Sequence, residues 1–467
     1  MSALDAKVAA ARAVGRLART AGRGGGTSLP GKVLTRLAPD AIVRLAARLP
    51  EGSVVVSATN GKTTTAAMAA SILERSGWSL VHNRAGANMA SGVASTLAAA
   101  AGRGNTINGR IGLFELDELW LDRVAPALAP RGVLLGNLFR DQLDRYGELE
   151  TIADRWAAMV TALPASAQLA LNADDPLVAD LGRERDGVHC FGVEDRSLAI
   201  PEMQHASDSK HCRRCGAAYV YDAIYLGHLG IYHCARCGQR RPEPTVSATE
   251  VHLHGTDSVD FTLRTPAGTV AVALPLPGLY DVYNALGAAT LCLTLGVAPE
   301  AIADGLAHVS AAFGRAERIT IGDRALSVLL VKNPAGANEI LRTLTLEDGE
   351  LDLLGVLNDR TADGHDISWV WDADFELLAG RTRRVTCAGT RAAELALRLK
   401  YAGIPEDRLH VVPALAAALD AALADNPTPP ARLYALPTYT AMLELRAELA
   451  RRGHVGRFWA GVDRTTL

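Results

Sequence analysis

The run Ser53-Val54-Val55-Val56-Ser57-Ala58-Thr59-Asn60-Gly61-Lys62-Thr63-Thr64-Thr65 decides how this chain reads. An apolar stretch leads into it, and an alanine-rich segment of helical character, Ala66 to Leu73, leads out. Strand, tight turn and helix N-terminus are the setting of a phosphate-binding loop, because free backbone N–H groups and the helix dipole together hold an anion. In that reading Thr59, Asn60 and Gly61 form the turn and Lys62 neutralises the β/γ charge of ATP. Thr63, followed by Thr64, presents a hydroxyl to Mg²⁺. The plain alternative is an ordinary strand-to-helix turn, which has little use for a lysine followed by three threonines. Lys62 is also the only lysine between Lys32 and Lys210.

At 467 residues the chain exceeds one ordinary core, so two or three domains are expected. Hydrophobic residues make up 49% and charged residues 21%, which fits a soluble globular protein. A formal net charge of −3 gives no general pull toward nucleic acid. Only 6 of the 48 basic residues are lysines, a bias that reads as GC-rich coding rather than function. No apolar stretch reaches the ~18 residues of a membrane span, and the N-terminus lacks the apolar core of a signal peptide. A cytoplasmic enzyme of bacterial type is the expected class. Residues 1–22 read as a helix carrying Arg12, Arg16 and Arg19, with Arg23 just beyond. That basic stripe is a solvated face or, alternatively, a peripheral contact with an anionic membrane surface.

From about 53 to 200, short apolar runs alternate with helical segments: Val54–Val56, Ile111–Phe114, Val133–Leu135, Leu169–Leu171 and His189–Gly192 are the strand candidates. Alternation of this kind implies an α/β fold with a mostly parallel sheet. Strand-like segments return at Val246–Leu263 and Val270–Leu274, and helices are expected over Leu279–Leu295 and Pro299–His308. A second α/β unit has strand candidates Ser327–Val331, Leu351–Leu357, Arg384–Cys387, His410–Val412 and Arg432–Ala435. The expected organisation is a central ATP-binding domain over 1–313, a four-cysteine insertion at 205–245 within it, and a C-terminal α/β domain over 314–467.

Cys212-x-x-Cys215 and Cys234-x-x-Cys237 lie eighteen residues apart, and glycine follows each pair. Two such knuckles supply four soft ligands for a tetrahedral Zn²⁺. Disulfides and a redox pair fit a reducing compartment poorly. Four thiolates leave no open position, so the zinc is read as structural, with His211, His228 and His233 outside its shell. Hairpin strands are expected at Ala218–Tyr221 and Ile231–His233.

The companions of the loop carry a resemblance. They include Asn83 to Met89, Glu115-Leu116-Asp117-Glu118, Asn137 to Glu148, Asn172-Ala173-Asp174-Asp175-Pro176 and Tyr283-Asn284-Ala285. Further on come Phe313 to Arg318, Lys332 to Asn338, Asp363-Gly364-His365-Asp366-Ile367-Ser368-Trp369 and Pro437 to Ala441. With these the chain resembles the Mur ligase superfamily, which makes acyl phosphates from carboxylates, and within it the MurT family. The four-cysteine insertion and the Asp-Gly-x-Asp-x-Ser-Trp segment carry the narrower likeness.

The resemblance implies a Mur ligase-type central ATPase domain and a C-terminal Mur ligase-like domain. It implies amidation of the α-carboxylate of D-glutamate in the lipid II stem peptide to D-isoglutamine, at the inner face of the cell membrane. Glu115 is the expected Mg²⁺ ligand, with Asp117 and Glu118 as second choices. Asn284 matches the residue that contacts adenine, and Arg315 the arginine that reaches ATP from the domain junction. Lys332 and Asn333 begin a loop expected to face the same cleft.

Departures from the wider superfamily sharpen the picture. Ala58 stands where the loop usually has its first glycine, and Gln142 where relatives carry a histidine. No lysine lies between 63 and 209, so a carbamoylated lysine bridging a second metal is impossible there. About fifty residues precede the loop, too few for a UDP-binding domain.

Ammonia is scarce at neutral pH, and a glutaminase that supplies it needs an activated cysteine. Cys190, Cys292 and Cys387 sit in strand or helix contexts that suit a core. The expectation is therefore a separate GatD-like glutaminase subunit in a heterodimer. The family places an aspartate of the C-terminal domain in trans against that partner's cysteine and histidine. Asp366 is preferred over Asp363; the alternative for either is a cap on the helix starting near Ser368. Trp369 and Trp371 are expected to divide between interface and core. A folylpolyglutamate-synthase-like amino-acid ligase is the alternative enzyme. A zinc-ribbon nucleic-acid module is the alternative outside enzymes, and it would need a concentrated basic surface around Arg213, Arg214, Arg236, Arg240 and Arg241.

Overall fold

Val54, Val55 and Val56 are all fully buried, which a strand tolerates only when both faces of its sheet are covered. The structure, a computed structural model, describes residues 3–20, 28–84, 87–141, 149–204, 207–309, 315–424 and 431–456, and the side chains of Arg19, Thr20, Arg315 and Ala316 lie outside that set. The valines belong to β1 (Ser53–Ser57). In chain order there follow β2 (Leu80–His82), β3 (Ile111–Glu115), β4 (Gly132–Leu135), β5 (Gln168–Asn172), β6 (Val188–Val193), β7 (Val220–Leu226), β8 (Leu229–His233), β9 (Val246–His254), β10 (Ser258–Thr265) and β11 (Gly268–Leu274). Nine of these form one sheet in the order β11-β10-β9-β6-β5-β4-β1-β3-β2, while β7 and β8 pair as a separate hairpin. Pairing is parallel from β2 to β9 and antiparallel from β9 to β11.

Side chains alternate along a strand, so β1 feeds two cores. Val54 and Val56 pack with Met68 and Ile72 of the helix Lys62–Arg75 and with Leu286 of the helix Leu279–Thr294. Val55 packs on the other face with Leu34, Leu45, Phe114 and Trp156. Each valine so buried contributes about 1.5–3 kcal/mol. Because β1 lies between β3 and β4, its carboxyl end is the point where strand order reverses, the usual ligand crevice of such sheets.

The second sheet holds β12 (Arg315–Ile321), β13 (Arg324–Leu329), β14 (Leu351–Val356), β15 (Thr382–Ala388), β16 (Leu409–Val411) and β17 (Leu433–Pro437). Their order is β12-β13-β17-β14-β15-β16, parallel except for the β12–β13 hairpin.

Several elements differ from expectation. The run Val246–Leu263 is not one strand: β9 turns into β10 at Gly255, whose φ of +54° suits glycine. β2 has three residues, too few to show a period. β12 interleaves charges with apolar residues and pairs on one side only, as an edge strand does. The N-terminal helix spans Ala3–Thr20, and its Arg12 donates to the carbonyls of Ala98 at 2.6 Å and Ala99 at 3.1 Å. Arg12 therefore satisfies the end of the helix Ala90–Ala100 rather than joining a solvated stripe. Arg23 and the side chain of Arg19 lie outside the described residues. Among the described residues no helix is long and apolar enough to cross a membrane.

Candidate functional site

The loop after β1 is built from its own residues and from three asparagines that come to it across the fold. Gly61 has φ +82°, and a Cβ there would sit 2.0 Å from Asn284 Oδ1, so only glycine fits. Asn284 accepts from Thr65 Oγ1 at 3.1 Å and donates to Asp281 Oδ1 at 2.8 Å, which makes it a buried member of the site. Asn137 grips the turn at two points: its Oδ1 accepts from Asn60 N at 2.9 Å and its Nδ2 donates to Asn60 O at 3.0 Å. Thr59 Oγ1 accepts from Phe139 N at 3.1 Å. The Ala58 methyl is accommodated because Gly136 faces it; a Cβ at 136 would stand 3.0 Å away.

Lys62 Nζ donates to Glu118 Oε2 at 2.7 Å, Ala58 O at 3.1 Å and Thr59 O at 3.4 Å. Burial pulls this ammonium down, but Glu118, Asp117 and Glu115 outweigh it and hold it up at about 12. It remains a cation at any physiological pH. Glu118 is thus the partner of the lysine through Oε2, and burial followed by Glu118 pushes the Asp117 carboxyl up. Glu115 is different: its Oε1 accepts from Thr63 Oγ1 at 3.0 Å. Asn83 fixes its backbone through bonds of 2.8 and 2.9 Å to Glu115 O and N. A hydroxyl and a carboxylate facing across the loop form an oxygen pair that fits a hard cation such as Mg²⁺.

The second sheet reaches the same place. Lys332 Nζ donates to Asp141 Oδ2 at 2.5 Å and to Thr59 O at 3.2 Å. Asn333 Nδ2 donates to Asn60 Oδ1 at 2.9 Å, while Asn333 Oδ1 caps the helix Pro334–Thr345 through Gly336 N at 2.9 Å. Lys332 lines the cleft, and Asn333 reaches it through Asn60. A cavity of about 130 Å³ lies between the sheets, with Asn60, Lys62, Thr64 and Asn284 on one wall and Lys332 and Gly336 on another. Gln142 and the side chain of Arg315 lie outside the described residues.

The four cysteines converge. Cys212 Sγ lies 3.5 Å from Cys237 Sγ, and Cys215 Sγ lies 3.5 Å from Cys234 Sγ, with all four sulfurs within 4.8 Å of one another. Disulfide sulfurs sit near 2.05 Å; the edge of a tetrahedron with Zn–S bonds of about 2.3 Å is about 3.8 Å. The spacing fits a tetrahedral metal. N–H groups of Cys237 and Arg236 point at Cys234 and lower its thiol from the ordinary range. His228 is fully buried against Phe139 and stands apart from this cluster. Of the nearby arginines, Arg213 pairs with Asp154, Arg214 with Asp180 at 2.6 Å and Arg241 with Asp174 at 2.6 Å. These three of the five are spent on the protein's own carboxylates, and Arg236 donates to Cys215 O at 3.2 Å.

Cys190 is pushed up to about 11 and Cys387 to about 12 by burial, and burial raises Cys292 further. None is an activated thiol. The two candidate aspartates separate clearly. Asp363 is buried and accepts from Thr440 N at 2.7 Å, holding the start of the helix Tyr439–Arg451. Asp366 is exposed and accepts from Ser368 N at 2.8 Å; that N–H, then the Ser368 hydroxyl, keep its carboxyl below the ordinary range. Trp369 packs on the C-terminal core, whereas Trp371 is exposed and lies 5.9 Å from the ring of Tyr401.

Sequence reasoning gave no role to Asn83 and Asn137 and offered Glu118 only as a spare metal ligand. Their contacts with Glu115, Asn60 and Lys62 span 32 or more residues of chain, and a single sequence carries no mark of that.

Comparison with known proteins points one way. The profile of the Mur ligase middle domain matches residues 56–222, and that of the MurT ligase C-terminal domain matches residues 330–442. Subunit MurT of lipid II isoglutaminyl synthase (glutamine-hydrolyzing) from Streptococcus pneumoniae is 32% identical over 92% of this chain and 93% of its own. The MurT subunit from Staphylococcus aureus N315 is 33% identical over 83% of this chain and 86% of its own. Among solved structures, a pseudomurein peptide ligase type C from Methanothermus fervidus superposes with a TM-score of 0.67 at 22% identity, covering 86% of this chain and 79% of its own. A Mycobacterium tuberculosis folylpolyglutamate synthase gives 0.60 at 16% identity, covering 89% and 95%. Likeness at that level of identity shows a shared Mur ligase fold and nothing finer.

Proposed function

The chain belongs to the MurT family, and from that membership we propose that it amidates the α-carboxylate of D-glutamate in a lipid-linked peptidoglycan stem peptide, at the expense of ATP. One observation carries the reading: Lys62 and Lys332, from opposite sheets, both reach the Thr59 carbonyl, at 3.4 and 3.2 Å. Two cations brought to one point of a phosphate-binding turn make a site for an anion in transfer.

In the proposed reaction the γ-phosphoryl group passes from ATP to a carboxylate oxygen, leaving ADP and an acyl phosphate. The lone pair of ammonia then attacks the acyl carbon, phosphate leaves with the bonding pair, and the nitrogen loses a proton to give the amide. Lys62 and Lys332 offset charge on the transferring phosphoryl group. Asn137 and Gly61 hold the turn so that its N–H groups stay in place. Thr63 and Glu115 would hold Mg²⁺, which supplies charge neutralisation at the phosphates.

Because none of the three cysteines outside the cluster is an activated thiol, we assign ammonia production to a GatD-like glutaminase subunit, with Asp366 facing it. We further assign residues 1–313 and 314–467 to the two ligase domains, with the insertion at 205–245, and place the reaction at the inner membrane face, where a lipid-linked precursor would be met.

The four-thiolate site is proposed to hold one structural zinc per chain, which elemental analysis would count. The insert's own core is small, centred on Tyr219 and Tyr232 with rings 5.1 Å apart, and such an aromatic pair adds only about 0.5–1.5 kcal/mol. Zinc binding contributes on the order of 10 kcal/mol. Chelation is therefore expected to open residues 210–240 to hydrogen exchange well before the two large sheets.

The function is tested with Mg-ATP, an ammonium salt and a lipid-linked precursor containing D-glutamate. Conversion of acid to amide without a partner is the expected result. ATP consumption that depends on glutamate and a folate would overturn it in favour of the folylpolyglutamate-synthase-like alternative.

A further inference from the structure

The hairpin of the four-cysteine insert does not stop at the protein surface. β7 and β8 turn over at Leu226-Gly227-His228-Leu229, and Leu226 and Leu229, both buried, line the same cavity as Lys62 and Asn284. Leu276, Tyr283, Leu329 and Ile340 are further apolar members of its lining. Phosphates belong against the glycine turn and the lysines, which leaves the apolar part of the lining for the flat base of the nucleotide.

The tip is held on several sides. Gly227 has φ +57° and donates its N–H to Gln204 Oε1 at 2.9 Å, and a Cβ on it would stand 2.9 Å from the Phe139 ring. The His228 ring lies 4.6 Å from that of Phe139, and Gly230 N donates to Asp174 O at 3.0 Å. From the other sheet's domain, Arg342 Nη1 donates to Tyr225 O at 2.8 Å. Arg241, late in the insert's sequence, also binds Asp174, and the other oxygen of Asp174 accepts from Tyr283 OH at 2.6 Å. Tyr283 is itself a wall of the cavity. The cysteines pin the opposite end of the hairpin, since β8 ends at His233, one residue before Cys234.

We propose that the tip of the insert, through Leu226 and Leu229, is a wall of the nucleotide-base pocket, and that the metal-filled four-thiolate site positions that wall. This rests on the ATP reading given above. The insert is then a positioning element for nucleotide binding, and it contributes to affinity for the base without touching the phosphates.

The test measures equilibrium binding of Mg-ATP and of Mg-tripolyphosphate, which has phosphates and no base, to the full chain. Leu226→Ala and Leu229→Ala are expected to raise the Kd for ATP roughly tenfold or more and to leave that for tripolyphosphate within about twofold. Chelator-treated protein is expected to follow the same pattern. If chelation unfolds the chain, the two leucine variants, whose cysteines are intact, carry the test alone. Variants that bind ATP as the unaltered protein does overturn the inference, as does parallel weakening of both ligands. Failure of the unaltered protein to bind either ligand overturns the ATP reading itself.

Discussion

Replacing Lys62 with alanine is expected to lower ammonia-driven amide formation by roughly 10²–10³-fold, the range seen when one preorganised charge-stabilising donor is removed. The side chain acts at the phosphates, so the loss falls on turnover even when ATP saturates. A second effect must be separated from it. Lys62 is the partner of Glu118, whose carboxylate is buried with one oxygen already lacking a hydrogen bond. Removing the lysine strands that charge, which costs about 3–5 kcal/mol. Adding Glu118→Gln to Lys62→Ala removes the stranded charge and is expected to restore much of the melting temperature but none of the activity. Recovery of activity together with stability would mean that Lys62 only supports the fold.

Asp366→Asn is expected to separate the two nitrogen sources. Glutamine-driven amidation, measured with the glutaminase subunit present, should fall by roughly 10²–10⁴-fold, as when the carboxylate that orients a catalytic imidazole becomes an amide. Ammonia-driven amidation should stay within about twofold. Asparagine keeps an oxygen to accept from Ser368 N, so the local turn survives the change. Asp363→Asn makes the contrast: it weakens the carboxylate at the start of the helix Tyr439–Arg451 and is expected to lower the melting temperature and both activities together. Equal losses from Asp366→Asn with either nitrogen source would remove Asp366 from the glutaminase arrangement.

Much of this site could be read from the chain before its structure. The phosphate loop was legible because strand, turn and helix start are contiguous, and the cysteines because both knuckles are local. The parallel core strands announced themselves as unbroken apolar runs. What escaped depends on distance along the chain. Glu118 meets Lys62 across 56 residues, and Asn137 clasps Asn60 across 77. Nothing in the spacing of Asp363 and Asp366 says which one is buried; the helix 77 residues further on decides it. The edge strand β12 was missed for a different reason. Its alternation of charge and apolar side chains suits one paired side, and the same pattern suits a domain linker.

The burial of Cys190, Cys292 and Cys387 has a practical consequence. Thiol reagents attack the thiolate, and these three groups are both enclosed and pushed well above neutrality. In the native chain they are expected to be silent toward alkylation. The knuckle cysteines, with Cys237 at the surface, are the ones that become available when their site is empty. With the cluster filled by metal as proposed, counting alkylated sulfurs by mass is expected to give more labels after chelation than before, with Cys237 the first to react.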